Sequence, residues 1–243
     1  MVIVADSAIQ LSLEYLSGLG VAVVDYPTFM NGSPYPVSME MSEEEKEALR
    51  LLLKDKNNSF TTAGLRAEDL LAAYRKFPGE KIISLHQSSK ATTVTADTIR
   101  RVLSENPGLD VQYVDSTFLT SAYSVIVKQA AMAARNGLPR EKVLEVIETA
   151  KKNTRHLGVI YDLFYLHHTG RIGLAKAVLG TAMKIINILS SAEEPGNLKS
   201  IGKVRNFHQA NERFISIVRE DMAARGGKSL TGVISVVGPH REE

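Results

Sequence analysis

The residues best placed to do chemistry are Gln87-Ser88-Ser89-Lys90, a polar loop inside the stretch Lys81–Thr98. Ile82, Ile83 and Leu85 before it read as a buried strand. After it, Val94 and Ile99 give a helix an apolar face, while Asp97, Arg100 and Arg101 turn to water. A strand, a hydroxyl-rich loop and a helix together place a ligand at the carboxyl edge of an open sheet. Amides at a helix start are unpaired, and the helix dipole favours negative charge there. Ser88 and Ser89 add hydroxyl donors, so the chemistry on offer is capture of a small anionic group. Ser89 also reads as a simple N-cap, and this stretch alone leaves both readings open.

Other hydroxyls fall at similar places. Ser7 follows the apolar run Val2–Ala5, Ser116 follows Val111–Val114, and Thr61-Thr62 stand between a loop and a helix entry. In a parallel sheet the strand ends gather on one edge, with Thr61 and Thr62 as candidates to join them. A competing reading is an acyl-ester hydrolase, with Ser88 or Ser89 set beside His86 and either Asp6 or Asp115. No Gly-x-Ser-x-Gly elbow supports it. His167 and His168 are adjacent and lack metal-ligand spacing, so no metal site is expected. Lys199, Lys203 and Arg205 with Phe207 read as a solvated strand edge rather than a nucleic-acid surface.

The elements that position these residues alternate. Strands are expected at Val2–Ala5, Val21–Val24, Ile82–Leu85 and Val111–Val114. Helices are expected at 8–17, at 42–54 behind a Ser42/Glu45 capping box, at Ala67–Lys76, at Thr117–Asn136 and at Arg140–Asn153. Asp25–Val37, with three prolines and Asn31-Gly32, predicts a hairpin or extended arm. Continuous apolar strands of this kind predict α/β architecture with a largely parallel sheet covered on both faces. The pattern changes after about 156. Strands at Leu157–Tyr161, Ile185–Leu189, Leu198–Arg205 and Leu230–Val237 flank small helices at 162–168 and 174–184 and an amphipathic helix at Phe207–Arg225. The fold class is thus two-domain α/β. Residues 1–156 form a three-layer α/β/α domain, and residues 157–243 an α+β domain with a mixed, mainly antiparallel sheet.

Composition narrows the function classes. Apolar residues are 44% of the 243 and charged residues 23%, enough for a packed core. Twenty-nine basic and 27 acidic side chains leave a net charge of +2, with no global pull toward nucleic acid or anionic membrane. The absence of cysteine excludes disulfides, thiolate metal sites and cysteine nucleophiles. No run approaches the roughly 18 apolar residues that span a bilayer, so a soluble cytoplasmic protein is expected.

Several motifs, in order and spacing, resemble one family: VADS at 4–7, TTAG at 61–64, ISLHQSS at 83–89, VDS at 114–116, YDLFYLHHTGRIG at 161–173 and KVR at 203–205. The chain resembles DegV-type fatty-acid-binding proteins along nearly its whole length. The resemblance implies one long-chain fatty acid held between two domains, with no cofactor and no catalytic residue of the chain's own. It implies a carboxylate bonded by Thr62, with Thr61 beside it, and by Ser89, with Ser88 beside it. It also implies presentation of the acyl chain to a fatty acid kinase, with Arg171 and Arg205 in docking positions. Ala63 and Lys90 depart from the family's usual serine and glycine, and a regulatory module that has lost lipid binding is a further alternative. Members of the family typically continue through another strand and a glycine-rich tail, so the C-terminal domain is expected to be truncated by comparison.

Overall fold

The computed structural model describes residues 1–160, 185–191, 199–227 and 229–235. The chain divides into two compact units, one built on Met1–Thr154 and the other on Arg155–Ile234.

The first unit centres on four parallel strands: β1 (Val2–Asp6), β2 (Val21–Val24), β6 (Ile82–His86) and β7 (Val111–Asp115), in the order β2-β1-β6-β7. Every residue of β6 is buried. Alternation along the strands sends side chains to two cores. Ile3, Ala5, Ile83 and Leu85 pack with α5 (Thr120–Arg135) and α6 (Arg140–Asn153). Val4, Val24 and Ile82 pack with α3 (Ala67–Arg75) and α4 (Thr93–Glu105). The run of Ala and Val in α5 is buried on most faces, as its composition requires.

A smaller antiparallel sheet, ordered β4-β3-β5, joins β3 (Thr28–Met30), β4 (Ser33–Pro34) and β5 (Phe60–Thr62). The hairpin expected in 25–37 is β3–β4, turned at Asn31 (φ 52°) and Gly32 (φ 79°). Thr61 and Thr62 stand on strand β5 instead of at a loop–helix junction, because β5 pairs with β3 in the register Thr28↔Thr62. Between them in sequence, α2 (Glu43–Lys54) carries the capping box. Ser42 Oγ accepts from Glu45 N at 3.2 Å and Ser42 N donates to Glu45 Oε2 at 2.7 Å.

Two helices begin later than the apolar pattern implies, for the same reason. Short polar side chains offer backbone groups a local alternative to the helix. The helix expected from residue 8 is α1 (Leu13–Gly18), capped by Ser12. Before it, Asp6 Oδ1 accepts from Ala8 N (3.1 Å) and Ser124 Oγ from Gln10 N (2.7 Å). The helix expected from Thr117 starts at Thr120. Asp115 Oδ1 takes Thr117 N (2.7 Å), Ser116 Oγ takes Phe118 N (3.2 Å), and Thr117 sits at φ 62°.

The second unit pairs β8 (Leu157–Ile160), β9 (Ile186–Ser190) and β10 (Lys199–Val204) antiparallel in the order β10-β9-β8, with α7 (Phe207–Ala224) packed on β9 and β10. Asn206 Oδ1 caps α7 by accepting from Gln209 N at 2.9 Å. The strand expected at Leu230–Val237 is absent across 229–235. No described strand pairs with that segment, whose Ser235 Oγ donates to Gln10 Oε1 at 2.8 Å, and Leu230 and Ile234 are 65% and 89% exposed. The helices expected at 162–168 and 174–184, and the tight polar turn that Gly170-Arg171-Ile172-Gly173 predicts between them, lie outside the described residues.

Candidate functional site

Three strand ends carry the polar groups at the carboxyl edge of the parallel sheet: Asp6 on β1, His86 on β6 and Asp115 on β7. Asp6 and His86 are fully buried. His86 Nδ1 and Asp6 Oδ2 are 3.1 Å apart, and His86 Nε2 is 2.7 Å from Ser84 Oγ. Ser84 Oγ is 2.7 Å from the Tyr74 hydroxyl. Asp6 Oδ2 also accepts from Gln87 N at 3.1 Å. Burial pushes Tyr74 up to about 12, which keeps its proton in this chain of hydrogen bonds.

This arrangement overturns the proposed hydrolase pairing. Ser84 and His86 are two apart on one strand face, so His86 meets Ser84 and not Ser88. Ser84 and His86 are both shut off from solvent. Asp115 is engaged elsewhere, accepting from Ser89 N (3.2 Å) and Thr117 N (2.7 Å).

The loop itself differs from a simple helix-start cradle. Helix α4 begins at Thr93, so Thr92 is the N-cap residue and the expected capping role of Ser89 is overturned. The loop amides are already bonded. Ser88 N donates to Phe118 O (2.9 Å), Ser89 N to Asp115, Lys90 N to Ser88 Oγ (3.3 Å), and Ala91 N and Thr92 N to Ser88 O (3.0 and 3.2 Å). Ser88, 1% exposed, is therefore a frame residue. Ser89 is half-buried, and among the described residues no group pairs with its Oγ. The amino end of α4 is left without a side-chain cap, because Thr92 Oγ1 turns back to Ser88 O (3.3 Å), and its first turn holds no acid. Donors for an anion are thus the Ser89 hydroxyl and the first turn of α4, not the loop amides. Val94, expected on the apolar face, is 65% exposed, whereas Ile99 is buried there as expected, with Val102 beside it.

The other predicted hydroxyls separate clearly. Ser7 Oγ accepts from Tyr26 N (3.0 Å) and bonds the Asp25 carboxyl, while Ser116 closes its own turn. Both are structural. Thr61 and Thr62 are exposed on β5. The chain just after them lies on α4: Leu65 N donates to Thr95 Oγ1 (3.2 Å), and a Cβ on Gly64 would stand 2.7 Å from Val94 Cγ1. Tyr26, which sequence reasoning passed over, receives Gln87 Nε2 at 3.2 Å with the hydroxyls of Thr95 and Thr92 beside it. Burial, and then the charge of Asp6, raise its pKa, so it remains a phenol. Arg205 is exposed just after β10, with its amide bonded to Gln209 Oε1 at 3.0 Å. Arg171 lies outside the described residues. Among the described residues no cluster of His, Asp or Glu is placed to hold a metal ion, and no helix is long and apolar enough to cross a membrane.

Residues 1–236 match the family model described as an uncharacterised protein of the DegV family. A DegV domain-containing protein of Halalkalibacterium halodurans is 28% identical over 230 residues, covering 94% of this chain and 80% of that protein. One from Clostridium perfringens is 26% identical over 231 residues, covering 93% and 80%. Among solved structures, a DegV family protein from Thermus thermophilus, described for its fatty acid binding, superposes with a TM-score of 0.77 at 25% identity, over 90% of this chain and 76% of that one. The Streptococcus pneumoniae fatty acid kinase B3 protein loaded with linoleic acid superposes with a TM-score of 0.66 at 17% identity, over 93% and 78%.

Proposed function

This chain belongs to the DegV family, and from that premise we propose that it is a non-catalytic carrier of one long-chain fatty acid, with Thr62 and Ser89 as carboxylate donors and Thr61 and Ser88 as their supports. The observation that carries this reading is the Ser89 hydroxyl. It is the one hydroxyl of the Ser88-Ser89 pair left unengaged among the described residues, four residues before an uncapped helix end. The fatty acid binding described for the Thermus thermophilus relative supports the ligand class.

The energetics suit such a ligand. Burying a methylene gains about 0.8 kcal/mol, so ~14 of them offer roughly 11 kcal/mol before the costs of association. The tail supplies attraction, while hydroxyl donors offset the cost of burying a carboxylate. A second step, presentation of the acid to a fatty acid kinase with Arg171 and Arg205 at the contact, is supported by the likeness to the fatty acid kinase B3 protein.

The test is direct. Purified protein is extracted and its lipid identified by mass spectrometry, and palmitate affinity is measured for the wild type and for Ser89→Ala and Thr62→Ala. Copurifying long-chain acid, with affinity reduced in both variants, supports the reading. Absence of uptake, or full affinity in both variants, removes it. Acyl phosphate formation with an added kinase, reduced in Arg171→Ala and Arg205→Ala at unchanged palmitate affinity, tests the docking role.

A further inference from the structure

Thr62 and Ser89 stand on parts of the first unit that share no strand ladder. Thr62 ends β5 in the sheet β4-β3-β5, whereas Ser89 follows β6 of the parallel sheet. No strand ladder therefore fixes one hydroxyl relative to the other.

One short path connects them through Gln87. Its amide is anchored to the buried Asp6 carboxylate (3.1 Å), next in sequence to Ser88. Its side chain donates through Nε2 to the Tyr26 hydroxyl (3.2 Å). Tyr26 is fixed at its own amide by Ser7 Oγ (3.0 Å), and the following Pro27 accepts from Ala63 N through its carbonyl (2.9 Å), beside Thr62. Asp6 Oδ2 takes both Gln87 N and His86 Nδ1, so the main chain of Gln87 cannot shift without leaving a buried oxygen short of donors. The half-buried amide side chain of Gln87 then transmits that fixed position to the β5 side.

We propose that Gln87, acting through Tyr26, is a positioning residue that sets the Thr62–Ser89 spacing and thereby the preference for a carboxylate over a neutral head group. This rests on the carrier reading above. A loosened pair of hydroxyls would still admit the tail but would no longer converge on two oxygens of one anion.

The experiment compares affinities of the full chain for palmitate and for hexadecanol, which share a tail and differ in the head. The variants are Gln87→Met, which keeps length and packing, Tyr26→Phe, and the double variant. The expected result is a loss of about three- to tenfold in the acid-over-alcohol ratio for each single variant, at unchanged hexadecanol affinity. The double variant loses no more than the larger single loss, since both singles remove the Gln87–Tyr26 bond and only Tyr26→Phe also gives up the contacts with Thr92 and Thr95. An unchanged ratio, equal losses for both ligands, or multiplied losses in the double variant would overturn the proposal. A wild type with no acid preference, or a Ser89→Ala variant that keeps it, overturns the carrier reading instead, so the two failures are told apart.

Discussion

Asp6 and His86 lie on neighbouring parallel strands and meet at 3.1 Å, with both side chains shut off from water. The two carboxylate oxygens of Asp6 take the imidazole, the Gln87 amide and the Ala8 amide. Asp6→Ala leaves the buried imidazole and two part-buried amides without their acceptor. A loss of about 1–3 kcal/mol is expected from the buried imidazole left without its hydrogen-bond partner, with the two amides adding to it. Urea unfolding of the variant measures it.

The adjacent serines are expected to respond in opposite ways. Ser88→Ala deletes the acceptor for Lys90 N inside a buried frame and should cost about 1 kcal/mol of stability. Ser89→Ala should leave the melting temperature unchanged and lower palmitate affinity about tenfold. Calorimetry of unfolding and of binding on both variants reads the two effects separately.

Gly64 is needed for close approach. An added methyl would meet Val94 Cγ1 at 2.7 Å, Val94 Cβ at 3.0 Å and Thr95 N at 3.3 Å. Gly64→Ala is therefore expected to cost about 1–3 kcal/mol, with the strain pushing the chain after Thr62 off α4. Val94→Ala, a change at a largely exposed side chain, should rescue part of that loss, because it removes Cγ1 but leaves Cβ. Thermal denaturation of the two single variants and the double variant tests the pairing.

His156 gives the second unit a pH dependence. Burial lowers its pKa from 6.5 to about 4, favouring the neutral ring in the folded state. Between those values the unfolded chain binds the extra proton, so stability is full above pH 6.5 and falls as pH drops toward 4. The loss approaches about 3 kcal/mol. His156→Gln should flatten that slope, as read by unfolding midpoints across the window.

Much of the scaffold was legible because its signals are local and strong. The apolar runs at Val2–Ala5 and Ile82–Leu85 could only be buried strands, and Ser42 with Glu45 announced α2 correctly. DegV membership was legible too, since the motifs at 61–64, 83–89 and 203–205 survive in order. What could not be read was which hydroxyl stays available. Ser88 and Ser89 are chemically identical neighbours, and only the partners Phe118, Asp115 and Lys90 separate them. Those partners come from a strand end and a turn that no periodicity describes. The late starts of α1 and α5 were hidden likewise, because Asp6, Ser124 and Asp115 capture amides that an apolar pattern assigns to a helix. β5 escaped notice because three residues show no alternation, and it exists only by pairing with β3. Tyr26 carried no signal at all until the fold put its hydroxyl 3.2 Å from Gln87 Nε2.

The saturated amides from Ser88 to Thr92 also bear on rates. A segment whose backbone donors are all satisfied internally has nothing to rearrange when a head group arrives, because the entropy of ordering it was surrendered when the chain folded. Capture at that end should then proceed as a rigid encounter, and any slow phase in loading would have to originate with the hydrocarbon end of the guest.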